Sequence, residues 1–218
     1  MDDIVIRVEG VYKRFGTDTV LKDVSRSFER GRIHGIVGNN GSGKTVLMKC
    51  ICGFLIPDGG SITVNGERVG VDVDFPRDMG LIIETPGFLP NITGVKNLEI
   101  LASLNKKIGL REIAASMRAV SLDPSMNKPV GKYSLGMRQR LGIAQAIMEN
   151  PSLLILDEPL NGLDKHGVME MRQLIKGLKE QGKTILLASH NQGDIDELCD
   201  TVCEMDAGVM TMIREESI

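Results

Sequence analysis

Long hydrophobic runs are absent from this 218-residue sequence. Its longest apolar stretches, such as residues 153–156 and 185–188, fall far short of the roughly 18 residues that a membrane-spanning helix requires. The first residues contain neither a basic segment nor an apolar one, so the sequence predicts no secretory signal. We therefore expect a cytoplasmic protein without a membrane span of its own.

Cysteine is also scarce, and neither sign of charge is in large excess. The four cysteines, Cys50, Cys52, Cys199 and Cys203, have no partners at zinc-ligand spacing, so we expect buried, reduced thiols. The 26 basic and 29 acidic residues give a net charge of −3, so no nucleic-acid partner is expected. With 42% hydrophobic residues, the composition is typical of a globular protein with one sizeable core or at most two small ones.

The hydrophobic pattern alternates between strand-like and helix-like segments along most of the chain. Between Val95 and Asn150 apolar residues recur at helical spacing, which predicts a helical insert. Strands are predicted at residues 4–8, 25–29, 33–37, 61–64, 80–83, 153–156, 184–188, 202–205 and 209–213, and helices at 44–54, 168–181 and 192–199. The pattern indicates an α/β fold with a mainly parallel sheet flanked by helices and an antiparallel β part at the amino terminus.

A glycine-rich segment between a predicted strand and a predicted helix carries the strongest motif. Two glycines bracket four residues and are followed by Lys and Thr: Gly38, Asn39, Asn40, Gly41, Ser42, Gly43, Lys44 and Thr45. Such a loop points backbone N–H groups at phosphate oxygens, Lys44 meets the β- and γ-phosphates, and Thr45 offers a hydroxyl to Mg²⁺. The alternative, a glycine-rich turn with an accidental lysine, is disfavoured by the flanking elements. The motif predicts a P-loop NTPase.

Two carboxylates follow the apolar strand predicted at residues 153–156. Parallel α/β sheets bind their ligands at the carboxyl ends of strands, where Asp157 and Glu158 are expected. Asp157 would hold Mg²⁺ through water, and Glu158 could orient or deprotonate the water that attacks the γ-phosphate. An Asp-Glu pair alone is more often a turn or a helix cap, but the phosphate loop favours the catalytic interpretation.

The segment Tyr-Ser-Leu-Gly-Met-Arg-Gln-Arg at residues 133–140 stands just before this strand. With the phosphate loop and the carboxylate pair, it resembles the signature of ATP-binding cassette (ABC) ATPases, and the resemblance covers nearly the whole chain. It implies that Ser134 and Gly136 bind the γ-phosphate of ATP held by the opposite subunit. It also implies that His190 contacts the γ-phosphate, that Phe15 stacks on adenine, and that residues 161–164 form the D-loop.

Each of these residues also has a plainer interpretation. Ser134 precedes a predicted helix and could serve as its N-cap, a role compatible with phosphate binding. A lone histidine after a strand, such as His190, is more often an exposed loop residue. Phe15 could be an ordinary edge residue, although only 3% of the residues are aromatic, which favours the adenine role.

Two departures from the common family pattern indicate which branch of the family the sequence resembles. Leu135 and Met137 replace the usual glycine and glutamine of the signature, and Glu84 stands where most members have the Q-loop glutamine. Both changes resemble the bacitracin and lantibiotic branch, which implies export of an antimicrobial peptide, drug or related compound. We expect Glu84 to contribute to the metal site, and the alternative is that it faces solvent or a membrane subunit.

The resemblance implies one cassette domain over residues 1–218, with a RecA-like core at 1–94 and 151–218 and a helical subdomain at about 95–150. It further implies a head-to-tail homodimer, or a heterodimer with a related ATPase subunit, that holds two Mg-ATP. Separate transmembrane permease subunits would contact residues 84–101 and keep the chain at the inner face of the membrane. A non-transport cassette ATPase and a regulator without turnover are the alternatives.

Overall fold

The computed structural model describes residues 3–84 and 87–215. Within these residues, one antiparallel sheet has the strand order β2-β1-β4-β5, and a six-stranded sheet has the order β10-β9-β3-β8-β7-β6. The strands are β1 (Ile4–Phe15), β2 (Asp18–Glu29), β3 (Ile33–Val37), β4 (Gly59–Val64), β5 (Glu67–Arg68), β6 (Met79–Ile82), β7 (Leu153–Asp157), β8 (Thr184–Ala188), β9 (Thr201–Asp206) and β10 (Val209–Glu215). In the six-stranded sheet only the β9–β10 pair is antiparallel. The predicted α/β class is confirmed.

Six α-helices accompany the two sheets in the described part of the chain. They are α1 (Lys44–Ile51), α2 (Gly94–Asn105), α3 (Leu110–Ala119), α4 (Leu135–Ile147), α5 (Lys165–Glu180) and α6 (Gln192–Leu198). Helices α2, α3 and α4 lie between β6 and β7 in the chain, where the sequence predicts a helical insert. The division into a core and a helical subdomain stays a prediction. No helix of the described residues is long and apolar enough to cross a bilayer.

Two hydrophobic clusters lie on opposite faces of the six-stranded sheet. Leu154 and Leu156 of β7 pack into the cluster that includes the apolar residues of α2 to α5, and Leu153 and Ile155 pack against α1 and the antiparallel sheet. Successive side chains of a strand point to opposite faces, so a strand buried on both faces is apolar throughout. This packing fixes β7 and therefore the position of Asp157 at its carboxyl end.

The amino-terminal hairpin differs most from the predicted strands. The sequence predicts strands at residues 4–8 and 25–29, whereas β1 and β2 each span twelve residues. Register shifts, including one between Val8 and Val11, interrupt the alternation of apolar and polar residues that identifies a strand in sequence. The predicted helix at 44–54 also ends early, at Ile51. Gly53 has a φ of 80°, and a Cβ atom there would lie 2.0 Å from the carbonyl oxygen of Asp74.

The four cysteines are all buried, as the sequence predicts. Burial raises the pKa of the Cys50 thiol to about 11 and the pKa of Cys52 and Cys199 to about 12. Burial also raises the pKa of Cys203. At neutral pH these thiols are therefore protonated and poorly nucleophilic.

Candidate nucleotide-binding site

The glycine-rich loop lies between β3 and α1, as its motif predicts. Gly43 is the N-cap of α1 with a left-handed φ of 111°, and Gly41 also has a positive φ, of 81°. Gly38 approaches the backbone of β9 so closely that a Cβ atom would lie 2.2 Å from the carbonyl oxygen of Met205. The loop therefore requires glycine at these positions, and it ends at the free N–H groups of a helix amino terminus.

Lys44 and Ser42 have polar groups that the surrounding protein does not fully pair. The buried Lys44 donates from Nζ to the carbonyl oxygens of Gly38 at 2.6 Å and Asn39 at 3.1 Å, and neither contact neutralises its charge. The Oγ atom of Ser42 is buried and has no hydrogen-bond partner among the described residues. A phosphate oxygen would provide an acceptor for both groups.

Thr45 and Asp157 bring a hydroxyl and a carboxylate together at the edge of the sheet. Thr45 Oγ1 donates to Asp157 Oδ2 at 2.6 Å. Magnesium prefers hard oxygen ligands and is usually held by one or two protein groups, substrate phosphates and water rather than by a complete protein cage. The described residues contain no cluster of three or more His, Cys, Asp or Glu suited to a metal. The pair fits Mg²⁺ that arrives with a nucleotide.

Glu158 and His190 form the second close pair. His190 Nδ1 lies 2.8 Å from Glu158 Oε2. The backbone of Glu158 has a positive φ of 50°; its N–H donates to the carbonyl oxygen of Ala188 at 2.9 Å, and its carbonyl oxygen accepts from Gln139 Nε2 at 3.1 Å. Strand β8 and helix α4 thus hold the residue from two sides, and its carboxylate faces the histidine after β8.

A cleft of about 390 Å³ brings Thr45, Asp157 and Glu158 together. It is lined by Asn40, Thr45, Glu84, Leu135, Arg138, Gln139, Asp157, Glu158 and Asn161. The cleft brings together residues from the phosphate loop, the carboxyl end of β7, and the amino terminus of α4. Several predicted site residues are not among its lining residues: Phe15, Lys44, Ser134, Gly136 and His190.

Phe15 lies at the end of β1, beside the turn to β2. Its side chain is 46% exposed, and Lys13 Nζ lies 5.6 Å from the ring centroid. Further along β2, the carbonyl oxygen of Val20 would be 3.0 Å from a Cβ atom on Gly43. The β1–β2 hairpin therefore contacts the phosphate loop at Val20 and carries the exposed Phe15 ring near its turn. The exposed ring is available to stack on a nucleotide base.

Ser134 is the N-cap of α4, as its plainer interpretation predicts. Its hydroxyl oxygen accepts a hydrogen bond from the N–H of Met137 at 3.2 Å, and Ser134 is exposed. Gly136, in the first turn of the same helix, lies against the 161–164 segment, where a Cβ atom would be 3.1 Å from the carbonyl oxygen of Gly162. The predicted signature is therefore an exposed helix amino terminus, which suits an anion supplied from outside the chain.

Glu84 lines the cleft, but its closest partner is a lysine. Lys49 Nζ lies 2.6 Å from Glu84 Oε1, and the glutamate side chain is 61% exposed. Glu84 also has a positive φ of 60°, which is uncommon for a residue with a side chain. Pro86, which accompanies Glu84 in the family resemblance, lies outside the described residues.

Three supporting residues of the site have no counterpart in the sequence-based predictions. Lys49 pairs with Glu84, Gln139 holds the backbone after β7, and the N–H of Gly208 donates to the carbonyl oxygen of Ser42 at 3.0 Å. Gln139 lies on the same face of α4 as Leu135, so helical periodicity predicts that the two side chains face the same part of the protein. Gly208 is 166 residues from Ser42 in sequence, and no local pattern indicates that contact.

Comparison with known proteins identifies the family. The model of the ABC transporter family matches residues 21–161. Over 204 residues, 94% of each chain, the sequence is 42% identical to YybJ of Bacillus subtilis (strain 168), an uncharacterized ABC transporter ATP-binding protein. It is 39% identical to the bacitracin transport ATP-binding protein BcrA of Enterococcus faecalis, covering 94% of this chain and 68% of BcrA.

Two further similarities agree with this result. The lantibiotic transport ATP-binding protein SrtF of Streptococcus pyogenes is 33% identical over 97% of this chain and 91% of its own. The dimeric structure of MJ0796, a bacterial ABC transporter cassette, has the same fold with a TM-score of 0.85, covering 96% of this chain and 99% of that chain at 23% identity. The chain therefore belongs to the ABC transporter family, in which it is an ATP-hydrolysing, nucleotide-binding subunit.

Proposed function

We propose that this ATPase works as a head-to-tail dimer that powers export of an antimicrobial peptide or related compound through separate membrane subunits. The observation that carries the proposal is the convergence of two close pairs on the phosphate loop. Thr45 and Asp157 provide oxygens for Mg²⁺, and Glu158 with His190 provides a carboxylate and an imidazole for the attacking water. A magnesium ion bound there would neutralise charge that develops on the phosphates.

The chain's own residues have distinct roles in the proposed reaction. Lys44 and the N–H groups of the loop bind the β- and γ-phosphates, and Phe15 stacks on the base. Glu158 accepts a proton from the attacking water, and His190 orients the Glu158 carboxylate and contacts the γ-phosphate. The phosphate loop, Glu158 and His190 follow β3, β7 and β8 of the six-stranded sheet, whereas Phe15 ends β1 of the antiparallel sheet.

The second subunit completes the proposed site. Ser134 is exposed and Gly136 is half-buried at the amino terminus of α4, and one copy of the chain would place them against the γ-phosphate held by the other copy. The dimeric cassette with the same fold supports two copies, although a related ATPase subunit could replace one of them. In this arrangement ATP joins the two subunits, and hydrolysis lets them separate.

The membrane partner would bind beside the cleft. A groove of about 280 Å³ is lined by residues that precede and form α2, including Phe88, Leu89, Ile100 and Leu101. Leu89 and Ile100 are exposed hydrophobic residues, which favour contact with another protein. Glu84 lines the nucleotide cleft, and the residues that line this groove follow it closely in sequence. A movement of Glu84 when nucleotide binds would therefore be passed to a membrane subunit in the groove.

A susceptibility assay in the host tests the transport part of the proposal. Cells that carry Lys44→Ala in place of the wild-type gene should become more sensitive to bacitracin or to a lantibiotic, and their sensitivity to an unrelated small antibiotic should not change. Lys22→Ala, at an exposed lysine of β2, is the matched control. Unchanged sensitivity to every peptide tested would remove the proposed substrate class and leave the ATPase activity intact.

Glu84 is expected to affect the Mg²⁺ dependence of the enzyme. A carboxylate in the cleft attracts Mg²⁺ but repels a metal-free triphosphate, and glutamine keeps a neutral oxygen without the charge. Compared with Glu84→Gln, the wild-type protein should therefore bind ATP more weakly in EDTA and should show the steeper response to Mg²⁺. The variant should retain measurable hydrolysis.

Titration of Mg²⁺ against nucleotide binding and ATPase rate makes this comparison. Glu67→Gln, in the short strand β5, is a control for the loss of one negative charge. Superimposable curves for the wild-type protein and Glu84→Gln would mean that the carboxylate remains with Lys49 and does not act on the metal.

A further inference from the structure

The side chain of Leu135 covers a glycine in the segment that follows Glu158. Leu135 is the first residue of α4, and a Cβ atom built on Gly162 would lie 2.5 Å from its Cδ2 atom and 2.6 Å from its Cγ atom. Real Cβ atoms essentially never approach other heavy atoms so closely. The leucine is therefore packed directly on the glycine backbone, and a side chain at position 162 would displace it from this contact.

Helix α4 holds the same segment at a second point. Gln139 lies one turn after Leu135 and donates from Nε2 to the carbonyl oxygens of Glu158 at 3.1 Å and Pro159 at 2.9 Å. Residues four apart lie on the same face of a helix. One face of α4 therefore contacts residues 158–162 at both ends, and Glu158 lies at the end that is fixed by hydrogen bonds.

We propose that Leu135 is a positioning residue for ATP hydrolysis, because its contact with Gly162 holds the segment that orients Glu158 toward His190. A glycine at position 135, as in the common family signature, has no side chain that could make this contact. Leu135 is 55% exposed, so its burial contributes little to global stability, and its effect is expected in the local order of the segment. This inference rests on the role proposed above for Glu158.

The first test removes the contact. Leu135→Ala deletes the Cγ and Cδ atoms and leaves a helix-forming residue at the start of α4. In nucleotide-free protein, we expect amide hydrogen exchange in residues 158–163 to become about tenfold faster. We also expect kcat to fall about five- to tenfold, with the KM for ATP changed by less than about twofold. Leu110→Ala is the matched control, because Leu110 is the first residue of α3 and is 59% exposed.

The second test is a double-mutant cycle with Gly162→Ala. That substitution is strained in any background, since Gly162 has a φ of 76°, but it overlaps with position 135 only when leucine is present. In the Leu135→Ala background the nearest side-chain atom of residue 135 is the Cβ, at an ordinary 3.6 Å. We expect the fall in kcat caused by Gly162→Ala to be about tenfold larger with Leu135 than with alanine at that position.

The outcomes separate this inference from the proposed function. Equal losses in both backgrounds, or exchange in Leu135→Ala that matches Leu110→Ala, would overturn it. If Gly162→Ala fails to fold with Leu135 but folds with alanine at 135, the overlap is supported, and if neither folds, the exchange measurement on Leu135→Ala decides. Full hydrolysis by Glu158→Gln would overturn the role of Glu158, and the exchange result would still show whether Leu135 holds the segment.

Discussion

Lys44→Ala should lower the ATPase rate by about 100- to 1000-fold, the loss that accompanies removal of one pre-positioned donor to developing charge. Lys44 is buried at the start of α1, and its ammonium already contacts two carbonyl oxygens of the phosphate loop. In that position it belongs to the loop that the motif assigns to the β- and γ-phosphates. Phosphate release by the purified variant, together with binding of a fluorescent ATP analogue, measures both turnover and affinity.

A matched comparison separates this local effect from general loss of charge. Lys22→Ala removes an exposed lysine of β2 and should leave both turnover and nucleotide affinity close to the wild-type values. Lys44→Arg should also be impaired, since the guanidinium is larger than the ammonium and the loop packs tightly, with Gly38 in close contact with the Met205 backbone. Near-normal hydrolysis by Lys44→Ala would remove the assignment of the phosphate loop.

Glu158→Gln should bind Mg-ATP with near-normal affinity and hydrolyse it about 100- to 10,000-fold more slowly, which is the usual contribution of a general base. Glutamine has nearly the same shape as glutamate, and its amide N–H can donate to His190 Nδ1 in place of the present contact. The hydrogen bonds of the Glu158 backbone, from its N–H to the Ala188 carbonyl oxygen and from Gln139 Nε2 to its own carbonyl oxygen, are unaffected by the substitution. The variant therefore removes the proton acceptor and keeps the geometry.

Single-turnover phosphate release and equilibrium ATP binding distinguish these two effects. Glu204→Gln, at an exposed position of β9, controls for removal of one carboxylate elsewhere. If Glu158→Gln releases phosphate as fast as the wild-type protein, another group accepts the proton and the proposed role of Glu158 is wrong.

The parts of the site that depend on local sequence could be predicted. The phosphate loop requires glycine at fixed spacing between a strand and a helix, and β3 and α1 flank it as the hydrophobic pattern predicts. The 153–157 strand is apolar on both faces because two clusters cover it, so its carboxyl end, with Asp157 and Glu158, could be placed from sequence. The N-cap at Ser134 also follows from local sequence, whereas the sequence predicts the start of α5 at residue 168 and so misses its N-cap at Asp164.

The features that could not be predicted depend on contacts between distant parts of the chain. Gly208 donates a hydrogen bond to Ser42, and the backbone of Met205 packs against Gly38. Both contacts exist because β9 pairs with β3 in the folded sheet. Lys49 and Glu84 come together only when the segment after β6 passes α1. Sequence periodicity describes which face of an element is buried, but it contains no information on which element covers that face.

The mass of Glu158→Gln with and without Mg-ATP, measured by light scattering, tests the shared nucleotide site most directly. We predict twice the 23.8 kDa of the single chain with Mg-ATP and the single-chain mass without it. Glu158→Gln combined with Ser134→Asp should stay at 23.8 kDa in both conditions, because aspartate still caps α4 but repels the γ-phosphate of the partner's ATP. A dimer that forms equally well with Ser134→Asp, or no dimer of Glu158→Gln with Mg-ATP, would contradict the head-to-tail arrangement.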